Sequence, residues 1–375
     1  MSKTGFSEIM KGALLGLFLI LAGVAHAAAM DFRQAEPGYS YQFPRDHGSH
    51  DDFQIEWWYF TGNLKDRSGN RLGYELTFFR TGIQSESVRG NPSRWHVENI
   101  YAAHFALTDG KNGRFWFDEK MGREGLGLGG SDRGELNVWI DHWSGRESGG
   151  MIHLHAASGT GDGRNEISLG LVSEKKPAVH GPDGTSPKDK GALNRSHYYS
   201  MSRLITSGTV IMQGQLYEIE GISWMDHEFG SSPLLASQTG WDWLSLQLEN
   251  HQELMLYQIR NRDRSPPYFF GSLIDRDGSV ITLNPGEVQF KPTGFWKSAA
   301  GSVYPVEWTL ILPERNIAFT ITPLVRNQEL EVFGGAVRYW EGAVTAGGSP
   351  VSGVGYLELT GYEGDFASLF SQKGQ

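Results

Sequence analysis

The chain contains no cysteine among its 375 residues. Disulfides, thiolate metal sites and a lipid-bearing N-terminal cysteine are therefore excluded. Beyond the first 30 residues no run of 18 apolar residues occurs, so no later segment reads as a membrane-spanning helix. No Walker A loop, no βαβ glycine fingerprint, no G-x-S-x-G elbow and no H-E-x-x-H helix is present. Nucleotide cofactors, serine-hydrolase chemistry and helix-borne zinc sites thus lack a motif. Basic residues are outnumbered, 33 against 43 acidic, and the net charge of -10 argues against nucleic acid as a partner. Glycine (49) and proline (15) make the chain turn-rich without reaching the composition of disorder.

The N-terminus carries an address. Lys3 and Lys11 precede an apolar run over residues 13–25, and small residues follow at Ala25, Ala27, Ala28 and Ala29. This pattern predicts a secretory signal over residues 1–29, cleaved near Ala27 or Ala29. The run is short for a membrane span, which needs about 20 residues. The expected mature protein is soluble and periplasmic or secreted. Enough chain remains for two domains at about 100–200 residues each.

Strand periodicity dominates from residue 50 onward. His50-Asp-Asp-Phe-Gln-Ile-Glu56-Trp57-Trp58-Tyr59-Phe60-Thr61 places four consecutive aromatics after a carboxylate. Successive strand residues point to opposite faces. Glu56, Trp58 and Phe60 should share one face, and Trp57, Tyr59 and Thr61 the other. Both faces must be covered, or one must line a cavity. Leu72, Tyr74, Leu76 and Phe78 alternate in the same way, and short strand patterns recur through Tyr101–Thr108, Asn137–Ile140, Ile152–His155, Trp241–Leu248, Glu253–Arg260, Tyr268–Leu273, Trp308–Leu312 and Ile317–Thr322. Many short strands separated by regular turns predict an all-β protein of two antiparallel domains, with closure into barrels as the way to remove edges. Strand signals stop near residues 231–240. The expected division is residues 30–235 and 236–375. Residues 173–196 read as a long polar segment, either a rim over a barrel mouth or a solvated excursion.

Chemistry candidates flank that boundary. His197, Tyr199 and Met201 should share a face of one strand; Trp224, Asp226 and Glu228 should share a face of another. Three ionisable side chains in an aromatic strand are costly in a dry core, so they must be paired, hydrated or used. No metal is expected. Asp226, His227 and Glu228 diverge as strand neighbours, and His153 and His155 share a face without a third ligand nearby. A carboxyl among aromatics remains. Burial raises its pKa, so Asp226 could give up a proton, and aromatic faces could stabilise the cation formed. The Asp-His-Glu run could equally form a buried network that fixes the two barrels. Arg80 is expected to pair with Glu56 or Glu75.

Several blocks together resemble the AttH/CrtC family: residues 50–64, Tyr74–Arg80, His197-Tyr-Tyr-Ser200, Trp224-Met-Asp-His-Glu-Phe-Gly230, Gly240-Trp-Asp-Trp243 and Gly355–Tyr362. The resemblance spans about residues 45–363. It implies two lipocalin-like antiparallel β-barrel domains in tandem. One branch of the family contains carotenoid 1,2-hydratases; the other, exported branch is named for a component encoded beside an ABC transporter. The hydratase branch uses a His-x-Trp pair and a Tyr-x-Asp pair. Their counterparts here are His197 with Tyr199, and Trp224 with Asp226, each pair exchanging one aromatic for another. The expected function is binding of an extended apolar ligand, an isoprenoid or lipid, with an ABC export system as a further partner. The alternative is a cofactor-independent hydratase that uses Asp226. Ligand-contact candidates are Glu56, Trp57, Trp58, Tyr59, His227, Glu228, Trp241 and Trp243. No cofactor is expected.

Overall fold

The computed structural model describes residues 32–83, 97–181, 183–191, 194–231 and 234–363. The expected signal segment, residues 1–29, lies outside the described residues. Among these residues no helix is long and apolar enough to cross a membrane.

Two antiparallel sheets make up the protein. The first contains β1 (Ile55–Asp66), β2 (Arg71–Gly82), β3 (Asn99–Asp109), β4 (Arg114–Arg123), β5 (Gly129–Ser131), β6 (Asn137–Ile140), β7 (Trp143–Ser148), β8 (Met151–Ser158), β9 (Asn165–Ser173), β10 (Ala178–Val179), β11 (Ser186–Pro187), β12 (Arg195–Met212) and β13 (Gln215–Gly230). Its order is β4-β3-β2-β1-β13-β12-β9-β8-β7-β6-β5, with β10 and β11 added along β12. The second contains β14 (Gln238–Leu248), β15 (Glu253–Asn261), β16 (Tyr268–Ile274), β17 (Val280–Leu283), β18 (Gln289–Lys297), β19 (Val303–Leu312), β20 (Ile317–Pro323), β21 (Glu329–Val332), β22 (Val337–Ser349) and β23 (Gly353–Leu359). The first sheet curls into a nearly closed barrel and the second into a half-barrel, the tandem lipocalin-like arrangement that the family resemblance implied. The change of sheet falls between Gly230 and Gln238.

Period-two alternation on β1 decides what each face meets. Trp58, Phe60 and Leu64 enter the barrel and pack with Tyr74, Phe105 and Trp143, so the interior is filled by side chains. Burying each such side chain contributes about 1.5–3 kcal/mol. Trp57 and Tyr59 point outward, yet they are covered too, because the second domain lies against that face. The seam joins Tyr59, Tyr198 and Trp224 of the first sheet to Trp243, Tyr257, Phe270 and Tyr356 of the second. A strand buried on both sides explains four aromatics in a row.

Polar contacts lock the seam. The bulge in β12 between Met201 and Leu204 sets Ser202 and Arg203 against the single Trp224 of β13. From there Arg203 Nε donates to Glu253 Oε1 at 2.6 Å and its Nη2 to the Leu248 carbonyl at 2.8 Å. Lys175 Nζ reaches the other Glu253 oxygen at 2.7 Å. Gln247 donates to the carbonyls of Ser202 and Ser223, each at 2.8 Å. The segment expected as a rim or a solvated excursion folds into this seam: Ala178, His180, Ser186 and Lys188 are buried.

Candidate functional site

The inward face of β1, β12 and β13 holds a closed polar network. Glu56 accepts from His50 Nδ1 and His227 Nε2, each at 2.8 Å, from Arg80 Nε at 2.9 Å and from the His50 amide at 2.9 Å. Arg80 also donates to Asn99 Oδ1 and to the carbonyls of His50 and Phe53. Of its two expected partners, Arg80 therefore takes Glu56. Burial pushes the Glu56 carboxyl up, but Arg80, His50 and His227 outweigh it and hold it well below the usual carboxylate range. Burial opposes the charged form of His50, while Glu56 and Asp46 raise its pKa. Tyr199 lies between His47 Nδ1 (2.6 Å) and His227 Nδ1 (3.0 Å).

His50, Glu56 and His227 offer ligand atoms within 4.8 Å of one another, a spacing that could hold a metal ion. The donor set fits poorly. Both carboxylate oxygens are already engaged, and the Arg80 guanidinium supplies the positive charge. This is a charge-balanced core network, and it clamps residues 46–50 onto the barrel.

The outward face carries Asp226. Tyr198 Oη donates to its Oδ2 at 2.7 Å, Trp224 Nε1 donates to its Oδ1 at 2.6 Å, and the Ser200 hydroxyl also donates to Oδ1. The second domain joins through Trp243 Nε1, which donates to Tyr198 Oη at 3.0 Å. His180 bridges the domains, with Nε2 2.7 Å from Ser200 Oγ and Nδ1 3.0 Å from Ser272 Oγ. Burial, reinforced by Lys188, lowers His180 to about 3, so it is neutral. Lys188 pairs with Glu228 at 2.5 Å and sits 4.8 Å from the Tyr257 ring centre.

Burial pushes Asp226 up to about 7. The donors Ser200, Tyr198 and Trp224 pull the other way, and Glu228 adds to the rise. An acid poised near neutrality inside an aromatic seam is suited to giving and recovering a proton.

The expected site residues divide between the two faces. Asp226 and Trp224 come together. His197 and Tyr199 do not stand across from Asp226: Ser200 pairs with Asp226, and His197 pairs with Phe229. Tyr199 belongs to the inner network. His197 is buried beside Tyr39, Phe53 and Phe229, and burial lowers it to about 4. Of the ligand-contact candidates, Glu56, Trp58 and His227 lie on the inner face. Trp57, Tyr59, Trp241 and Trp243 lie in the interdomain seam, and Glu228 beside it pairs with Lys188. Sequence reasoning missed Tyr198 and Ser200 as partners of Asp226, and His180 behind Ser200. Tyr198 and Ser200 stood in the block already singled out, one position off the chosen face.

Comparison with known proteins places these features in a family. The AttH-like family profile matches residues 34–362. A crystallised Nitrosomonas europaea protein assigned as AttH is 35% identical, with a TM-score of 0.79 over 88% of this chain and 99% of that one. Kievitone hydratase from Nectria haematococca is 14% identical, with a TM-score of 0.64 over 88% of this chain and 95% of that one. At that identity the likeness shows the fold alone. A search of curated proteins found no match.

Proposed function

The chain belongs to the AttH-like family, and from that premise we propose that it binds an extended, mainly apolar molecule, an isoprenoid or lipid, between its two domains. One observation carries the reading. The seam is built of Tyr59, Tyr198, Trp224, Trp243, Tyr257 and Phe270, with acids set among them. Binding sites are mostly apolar with a few placed polar groups. Organic extraction of the purified protein, followed by mass spectrometry, should recover an apolar species. A protein that carries none, and takes up none from isoprenoid or phospholipid mixtures, would refute the reading.

Asp226 favours a second reading, a cofactor-independent hydratase. Its carboxyl would give a proton to an isolated carbon–carbon double bond. Water would attack the resulting cation, and the proton lost from that water would return to the Asp226 carboxylate. Tyr198, Ser200 and Trp224 donate to the carboxylate left behind, so they stabilise the state after proton transfer. Unchanged turnover of every accepted polyene by Asp226→Asn would exclude this chemistry and leave the binding reading standing.

The same proposal puts the mature chain outside the cytoplasm, on the strength of Lys3, Lys11 and the apolar run 13–25. An ABC export system is the expected protein partner. Co-purification with transporter subunits tests that part.

A further inference from the structure

A second group of acids lies in the seam, and the function proposed above does not use it. Glu75 on β2 and Glu341 on β22 are 1% and 2% exposed. Glu341 stands directly opposite Glu358 in the β22–β23 ladder. Like charges directly opposite on neighbouring strands are destabilising, and a buried carboxylate needs a partner. The charges that act on these three groups are other carboxylates: Glu358 on Glu75, Glu75 and Glu358 on Glu341, and Asp226 and Glu228 on Glu358. The nearby imidazole of His104 on β3 is no counter-ion. It is buried, lowered to about 3, and bonded through Nδ1 to Tyr339 Oη at 2.6 Å.

Unpartnered polar atoms collect at the same place. Glu75 Oε2, Glu341 Oε1, Tyr356 Oη and Tyr59 Oη are buried without a hydrogen bond. Tyr356 lies within the field of Glu341 and Glu75. Tyr59 and Glu341 are polar neighbours that act on each other, with no well-aligned hydrogen bond between them. Buried polar groups in native proteins are almost always satisfied, so orphans gathered from two domains call for an occupant. Among the described residues the three carboxyls do not approach closely enough to share a bare metal ion, since that spacing occurs only at His50, Glu56 and His227. An occupant that is larger, donates hydrogen bonds and carries positive charge would suit these groups. The rings of Tyr59 and Tyr356 suit a cation as well.

We propose that Glu75, Glu341 and Glu358, with Tyr59 and Tyr356, receive an organic ammonium group at one end of the ligand, whose hydrocarbon lies along the aromatic seam. This rests on the seam being a binding site. Burial, with repulsion from Glu358, holds Glu75 up at about 8, and burial, with repulsion from Asp226 and Glu228, holds Glu358 at about 7, so these carboxyls keep protons that an ammonium would displace. The groups that titrate around it are Glu75, Glu341 and Glu358 themselves, Tyr59, Tyr339, Tyr356 and His104, and then Asp226 and Glu228 on β13.

Calorimetric titration with octylammonium and with 1-octanol at pH 8 tests this on the full mature chain. Octylammonium should bind about tenfold tighter, the size of a charge-assisted hydrogen bond. It should release protons, read from the dependence of the heat on buffer ionisation enthalpy, and its advantage should shrink at pH 5.5. Glu341→Gln and Glu75→Gln should each reduce octylammonium binding and leave octanol binding intact. Equal affinity for the two probes, or a preference for the alcohol, overturns the ammonium site while the apolar binding reading survives. Binding of neither probe overturns both.

Discussion

Ser200 faces Asp226 across the β12–β13 ladder because Ser202 and Arg203 together oppose the single residue Trp224. Counted from the hairpin, where Met212 pairs with Gln215 and Leu204 with Ser223, an unbroken ladder would bring Met201 opposite Asp226 and Tyr199 opposite Glu228. The bulge shifts the register by one. Tyr198 and Ser200 then join the acid in the seam, and His197 and Tyr199 turn into the barrel.

Deleting Ser202 removes the extra residue opposite Trp224 but keeps Met201 opposite Met225 and Ser200 opposite Asp226, so the cluster around Asp226 should survive it. The cost in urea unfolding should stay within about 0.5–3 kcal/mol, the range of ordinary single changes. A loss beyond about 4 kcal/mol would show that the bulge itself is needed to hold Arg203 on Glu253.

Stability should fall as pH rises from about 4 to about 7. Asp226 has its native pKa raised from 3.8 to about 7, so the folded state keeps a proton that the unfolded chain has already lost. The stabilisation is complete below pH 3.8 and is lost as pH climbs through 7, up to about 4 kcal/mol in all. Asp226→Asn should flatten this part of the profile in denaturation series at fixed pH values. A variant profile parallel to that of the wild type would show that Asp226 ionises normally.

Glu253 neutralises two cations at the domain seam, Arg203 at 2.6 Å and Lys175 at 2.7 Å, all three side chains being buried. Glu253→Gln should destabilise by about 3–5 kcal/mol, because among the described residues Arg203 and Lys175 pair with no other carboxylate. The loss should appear first as exposure of the seam, read as accelerated amide exchange in β12 and β15.

Glu56→Gln should cost a similar amount, about 3–5 kcal/mol, by taking from Arg80 and His50 the carboxylate nearest to both and leaving only the more distant Asp51 and Asp46. Chelators and added zinc should leave the wild-type melting temperature unchanged. A rise in melting temperature with zinc would show that His50, Glu56 and His227 hold a metal after all.

Legibility varied with the range of the interaction. The two faces of Glu56–Thr61 could be read directly, because side-chain alternation is a local property of extended backbone. Pairing of Arg80 with a carboxylate was legible from its face, and the choice of Glu56 over Glu75 was not. Glu75 proved to face the second domain, which the sequence places more than 260 residues away at Glu341. Asp226 stood out as a carboxyl among aromatics, and its bonds to Tyr198 and Ser200 were missed for want of one bulge.

The sequence by itself determined an all-β chain of two domains, its aromatic strands and the embedded acids, since these depend on residue type and a period of two. Tertiary structure decided which acids act alone and which are neutralised. Glu56 gained Arg80 inside the barrel, Asp226 gained Tyr198 and Ser200 through a one-residue register shift, and Glu75 met Glu341 only when the second sheet closed over the first. The physical reason is that a carboxyl's charge is set by what surrounds it in three dimensions. Burial and neighbouring charges act across distances that no local pattern records.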